Sequence, residues 1–258
     1  MKWPASVTLV RHGQSAFNAQ REQKSKSALY QAFKAAFLQD PYSEETRRLA
    51  GEVNSIFALG VSDSDTPLTE LGRNQARATG KGLAKTIPCP DVVYYSPYLR
   101  TRDTFAGLKE GWSDLAGVRS LSEDRIREQE HGLSLLYNDW RIFHAFHPEQ
   151  HKLFELLGTY WYQFPQGESV SQVRDRIRSF TTTLIREHAG QHVLLVTHHL
   201  TILSIRANFE RLSPEQFIHL DEKETPINCG VTIYHGNPEA GADGRLELAS
   251  YNQRLYQI

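Results

Sequence analysis

With 258 residues, 40% hydrophobic and 23% charged, the chain is long enough for one large domain or two small ones around a substantial core. A formal net charge of −1 gives no general attraction for nucleic acid or an anionic membrane, so any affinity for an anion has to be local. Cys89 and Cys229 are too few for a disulfide framework and lack metal-ligand spacing, and no leader-like segment or 18-residue apolar run is present; the expectation is a soluble, cytoplasmic chain.

The first element is Val7-Thr8-Leu9-Val10, a short apolar run of the kind buried inside parallel sheets, and it ends in Arg11-His12-Gly13. After Asn18 the sequence turns polar through Gln23–Ser27. Leu29, Ala32, Phe33, Ala36 and Phe37 then repeat at i, i+3, i+4, i+7 and i+8, which predicts a helix stopped by Asp40-Pro41. This stripe reads more readily as ordinary packing than as a substrate lid. Leu49, Val53, Ile56 and Phe57 mark a second amphipathic segment, followed by a loop to Pro67.

From Leu68 to Ile87 the pattern is helical, with Thr69 as N-cap and Glu70 in the first turn, until Pro88-Cys89-Pro90 stops it. Asp91–Ser96 reads as the next strand, and Pro97 opens a helix that carries Leu99, Arg100, Arg102 and Phe105. Residues 118–128 hold a short strand leading into Arg127-Glu128-Gln129. The aromatic and histidine-rich stretch 135–164 is expected to be helical on either side of Pro148. Ser169 and Gln172 have the form of a capping box before Val170, Val173, Ile177, Phe180 and Leu184. Val193–Thr197 is a third buried strand, running into His198-His199 and a further helix through Phe209. Two late strands, 231–234 and 246–249, complete the chain, the second alternating as an edge strand does. This β-then-α alternation predicts an α/β sheet with helices on both faces.

Three strand ends therefore carry polar groups: Arg11-His12, Ser96 with Arg100 beyond it, and Thr197-His198. Parallel strands bring their carboxyl ends to one edge, where ligands of open α/β sheets bind. Two guanidinium forks and two imidazoles around one point suit a phosphoryl group. A neutral, oriented imidazole beside that group is a competent nucleophile, and the leaving alkoxide then needs a proton. Glu128 is the candidate acid, with Glu130 as its competitor; an ion pair of Glu128 with Arg125 or Arg127 is the plainer alternative. Asn18 stands evenly between turn chemistry and a ligand role. His144, His147 and His151 lack a carboxylate or cysteine to complete a metal set, so they read as exposed or capping residues, as do His188 and His192.

Arg11-His12-Gly13-x-Ser15-x-x-Asn18 resembles the signature of the histidine phosphatase superfamily, the phosphoglycerate-mutase-like proteins. Asp65-x-Pro67-Leu68-Thr69-Glu70-Leu71-Gly72-x-x-Gln75-Ala76, Ser96-Pro97-x-x-Arg100-Thr101-x-x-Thr104, Arg127-Glu128-Gln129-x-x-Gly132, Gly167-Glu168-Ser169 and Val196-Thr197-His198 are similar to further motifs of that family, in its order. The resemblance implies a three-layer α/β sandwich with a mostly parallel sheet, one domain over 1–258 with a helical insertion at about 19–64. It also implies a phosphohistidine mechanism with no metal and no cofactor. Carried over, His12 is the nucleophile, Arg11, Arg100 and His198 bind phosphate, Asn18 lines the same pocket, and Glu128 is proton donor and then base. Gln14 departs from the family's usual glutamate and His199 from its usual glycine. The expected activity is hydrolysis of a phosphomonoester, the substrate being a small phosphorylated molecule more readily than a protein. Phosphoglycerate-mutase-type transfer is the alternative, and a non-catalytic phospho-ligand module a third, disfavoured because the acid position is filled.

Overall fold

A computed structural model describes residues 2–257. The elements run β1 (Ser6–Arg11), α1 (Ala16–Lys26), α2 (Ala28–Gln39), α3 (Glu44–Phe57), α4 (Glu70–Thr86), β2 (Val92–Tyr95), α5 (Leu99–Gly111) and β3 (Arg119–Ser122). They continue with α6 (Trp140–Phe146), α7 (Pro148–Trp161), α8 (Val170–Glu187), β4 (His192–Thr197), α9 (His199–Phe209), α10 (Pro214–Lys223), β5 (Val231–Asn237) and β6 (Arg245–Gln253). They form two compact units, one made of residues up to 15, 64–128 and 172 onward, the other of 16–63 and 129–171.

The first unit holds one mixed sheet in the order β3-β2-β4-β1-β5-β6. Strands β1 to β4 are mutually parallel, and β5 runs antiparallel to β1 and to the edge strand β6. β1 lies inside the sheet, and Val7, Thr8, Leu9 and Val10 are all buried, which is why its apolar run does not alternate. Val93 joins the cluster formed with Val10, Val196, Leu83, Phe105 and Leu108, so α4 and α5 cover that face. Tyr94 points the other way, onto Phe180 of α8.

Register does the positioning. Arg11 is level with Thr197 and Tyr95 with Val196, so the residues that follow each strand, His12, Ser96 and His198, emerge at one edge. The turn after β1 is made by a close backbone approach. A Cβ on Gly13 would lie 2.4 Å from the Gly72 carbonyl oxygen, and one on Gly72 would lie 2.1 Å from that of Gln14. Thr69 seals this contact: its hydroxyl caps α4 by accepting from the Gly72 N–H and donates to Oε1 of Gln14, at 3.0 and 2.8 Å.

The second unit is helical. Tyr30, Phe33 and Phe37 of α2 pack with Leu49, Ala50 and Val53 of α3 and with Ile142 and Ala145 of α6, so the 29–37 stripe serves as core. Helix α1 was not expected, because the sequence becomes polar after Asn18 and shows no periodic apolar positions there. It forms because Ala16–Lys26 is made mostly of good helix formers, but it carries no apolar stripe to announce it. Its buried residue is Lys24, paired at 2.8 Å with Asp139, which also accepts from the Tyr30 hydroxyl and the Arg141 N–H. The helices of the segment expected as an insertion are α1 to α3. Helix α10 was also unexpected; Ser213 and Gln216 form its capping box around Pro214. Among the described residues no helix is long and apolar enough to cross a membrane.

Gly72→Ala is expected to lower the unfolding free energy by about 3 kcal/mol, since backbone on both sides has to shift. Urea denaturation checks this, and an unchanged midpoint would contradict the close-approach account.

Candidate active site

His12 continues the ladder of β1, its N–H donating to the Thr197 carbonyl at 2.9 Å. Its Nδ1 lies 2.7 Å from the Gly13 carbonyl oxygen. A carbonyl only accepts, so Nδ1 carries the hydrogen and Nε2 keeps its lone pair. The ring is 3% exposed. Burial holds its pKa well below the ordinary 6.5, and the charges of Arg100 and Arg11 push the same way. The imidazole at position 12 is thus neutral, tautomerically fixed and surrounded by cations.

Arg100 sits in the first turn of α5 and is 4% exposed. Thr104, one helical turn on, donates to the Arg100 carbonyl at 2.6 Å and accepts from the Gly13 N–H at 3.0 Å, tying the arginine's turn to the loop of the histidine. The Tyr98 ring packs 4.8 Å from the Arg100 guanidinium and 5.1 Å from the His198 ring. Neither Tyr98 nor the role of Thr104 was read from sequence, although both lie inside the Ser96–Thr104 motif.

His198 is fully buried, its ring 5.3 Å from that of His12. Burial lowers its pKa well below 6.5, with Arg100, His12 and Arg11 adding to the effect. Nε2 lies 2.7 Å from the Ser96 hydroxyl, whereas Nδ1 is buried with no hydrogen-bond partner. Whichever of Nε2 and the hydroxyl donates, Nδ1 is left as a buried polar atom outside any hydrogen bond. Such a group costs about 1–3 kcal/mol unless a ligand satisfies it.

The carboxylate of Glu128 accepts from the Leu200 N–H at the start of α9, at 3.2 Å. The segment bearing it is tied down from two sides. Arg176 of α8 donates to the carbonyls of Arg125, Arg127 and Glu128, while Thr197 and Thr201 donate to those of Ile126 and Arg127. Arg176 was missed, because an arginine between apolar helix positions looks like any solvated one. Arg125 pairs with Glu123 and Arg127 with Asp124. The main chain of Glu130 is held by Glu168 in the second unit, and Asn18 lies on α1 in that unit. His12, Arg11, Arg100, His198 and Glu128 all belong to the first.

Of the histidines expected to be exposed or capping, His147 caps the junction of α6 and α7 and His192 is half-exposed, whereas His144, His151 and His188 are buried. His144 is fully buried, its Nδ1 lies 3.2 Å from that of His151, and aromatic rings surround the pair. His188 is buried between Tyr94 and Gln191. His199, where a glycine was expected, places Nε2 2.7 Å from the carboxylate of Asp221 on α10.

The family profile described as the histidine phosphatase superfamily (branch 1) matches residues 58–242; Arg11 to Asn18 precede the matched range. A phosphoglycerate mutase-like protein of Arabidopsis thaliana, AT74H, is 32% identical over 223 residues, 79% of this chain and 74% of that one. Phosphoserine phosphatase 1 of Hydrogenobacter thermophilus is 28% identical over 146 residues, 54% of this chain and 61% of that one. In fold, the chain is similar to a mycobacterial glucosyl-3-phosphoglycerate phosphatase solved with inorganic phosphate, at a TM-score of 0.65 and 21% identity, covering 97% and 98% of the two chains.

Since the folded-state pKa of His12 is lowered, the neutral form persists until pH falls through that depressed value. Nitrogen-edited NMR of the imidazoles is expected to find His12 neutral, with Nδ1 protonated, throughout the range just below pH 6.5. A midpoint at or above 6.5 would contradict the buried, cation-flanked environment.

Proposed function

Because the chain belongs to the histidine phosphatase superfamily (branch 1), we propose that it is a phosphomonoester hydrolase that passes the phosphoryl group through Nε2 of His12. The observation that carries the reading is the buried, unpartnered Nδ1 of His198 beside a neutral His12, with Arg100 and Arg11 acting on both rings. Two guanidinium groups and a buried imidazole nitrogen beside one nucleophile suit an anionic phosphoryl group. Arg11, Arg100 and His198 hold the non-bridging oxygens, which keeps phosphorus in line with Nε2.

In the first step the Nε2 lone pair forms the N–P bond as the ester P–O bond breaks. The carboxylic acid of Glu128 gives its proton to the departing alkoxide. In the second step the Glu128 carboxylate takes a proton from water, whose oxygen attacks phosphorus, and inorganic phosphate leaves with His12 restored. The hydrogen bond from Nδ1 to the Gly13 carbonyl steadies the positive charge that the ring carries while phosphorylated.

The substrate is proposed to be a small phosphorylated molecule in the cytoplasm, a class supported by the names of the phosphoserine and glucosyl-3-phosphoglycerate phosphatases. The name of the Arabidopsis relative favours a second reading, in which the phosphoryl group returns to another hydroxyl instead of water.

The test is a purified-protein assay of phosphate release from alkyl and aryl phosphates beside 3- to 2-phosphoglycerate conversion. His12→Ala is expected to lower kcat by about 10³-fold or more. Glu128→Gln is expected to slow alkyl phosphates by about 10²-fold or more and para-nitrophenyl phosphate far less, because a phenolate leaves without a proton. A chelator is expected to leave the rate unchanged. Mutase turnover with little phosphate release would reverse the ranking, and equal slowing of both ester types would remove Glu128 from the acid role.

A further inference from the structure

Residues 225–230 lead from α10 into β5 and lie outside every motif that carries the family resemblance. They nevertheless grip the corner that bears His12. The Pro226 carbonyl accepts from Nη1 of Arg11 at 2.5 Å. Nδ2 of Asn228 donates to the His12 carbonyl at 3.1 Å, and the Cys229 N–H is shared between the carbonyls of Arg11 and His12, at 3.1 and 3.2 Å. The loop thus fixes one guanidinium and the main chain under the imidazole together.

This loop is held in turn by the last strand and the residues after it. Oδ1 of Asn252 accepts from the Ile227 N–H at 2.8 Å, and its Nδ2 donates to the Thr225 carbonyl at 3.0 Å. The Asn252 main chain is left-handed, with φ at +54°, and its N–H donates to the Thr232 hydroxyl where the register between β5 and β6 shifts. Asparagine is among the few residues that combine that conformation with a two-sided amide grip. The Tyr256 hydroxyl donates to the Asn228 carbonyl at 3.0 Å and accepts from the Gln75 amide at 3.3 Å.

We propose that Asn252, assisted by Tyr256, is a positioning residue for phosphate binding: through the 225–230 loop it aims the Arg11 fork and holds the His12 main chain. An arginine side chain loses considerable rotamer freedom when it settles on an anion, and a carbonyl that fixes its fork beforehand removes part of that loss. The clamp therefore acts on affinity for the phosphoryl group more than on the chemical step. The inference rests on the hydrolase reading above.

The experiment compares wild type with Asn252→Gly, which keeps access to the left-handed conformation and deletes both amide bonds. KM for para-nitrophenyl phosphate and Kd for inorganic phosphate by calorimetry are expected to rise together by about tenfold, with kcat little changed. Tyr256→Phe, which removes one hydroxyl, is expected to raise both constants by about threefold and serves if the glycine variant does not fold. A fall in melting temperature with KM and phosphate affinity unchanged in the folded variants would overturn the proposal, leaving Asn252 a purely structural residue. A wild type that binds phosphate but hydrolyses no ester would sink the hydrolase reading alone, since the clamp is then judged on phosphate affinity. A wild type that neither binds nor hydrolyses would overturn both.

Discussion

The site depends on the register between β1 and β4. With Arg11 opposite Thr197, the next residue on each strand is a histidine, and the two rings meet at 5.3 Å. A slip of one residue would turn every side chain of β1 to the opposite face, burying Arg11 where Val10 belongs and withdrawing His12 from the edge. The charge of Arg11 prevents this, because the slip would bury its guanidinium in the apolar cluster that Val10 and Val196 form with α4 and α5. Packing in the sheet centre is thus what aligns the groups at its edge.

Electrostatics then fits the residue types to the place. An imidazole buried between guanidinium groups would be a poor cation, so burial and the neighbouring charges act together to keep both rings neutral. That state suits a nitrogen nucleophile, which needs its lone pair. The Gly13 carbonyl decides which nitrogen holds it. Glu128 is treated differently. It is half-buried, its carboxylate meets the start of α9, and the main chain from Ile126 to Glu128 is held by Arg176, Thr197 and Thr201, so the carboxylate is carried on a rigid support next to the strand that presents His198.

Much of this was legible beforehand because buried parallel strands announce themselves as unbroken apolar runs and their ends follow directly. Arg11, His12, Arg100 and His198 could each be named from a strand end or a helix start, and Glu128 from the motif Arg127-Glu128-Gln129. What escaped notice lacked such a signal. Helix α1 buries a lysine against Asp139, 115 residues away, and no local periodicity reports that partner. Arg176 works through main-chain carbonyls, which no sequence pattern records. Asn252 gains its meaning from a backbone angle and a register shift that exist only once β5 and β6 have paired. His144 and His151 were expected to be exposed or capping because no carboxylate or cysteine completes a metal set with them, yet aromatic side chains enclose both.

The interior place of β1 has a consequence for how the chain is made. Ser6 finds its neighbour His192 186 positions further along the chain, and the other flank of β1 is supplied later still, by β5. At ribosomal rates of roughly 5–20 residues per second, the strand that carries His12 emerges roughly ten to forty seconds before either flank exists. During biosynthesis, then, one of the most apolar segments of the protein is an unpaired strand with both edges open, and holding it apart from other nascent chains is a task for the cell's chaperones.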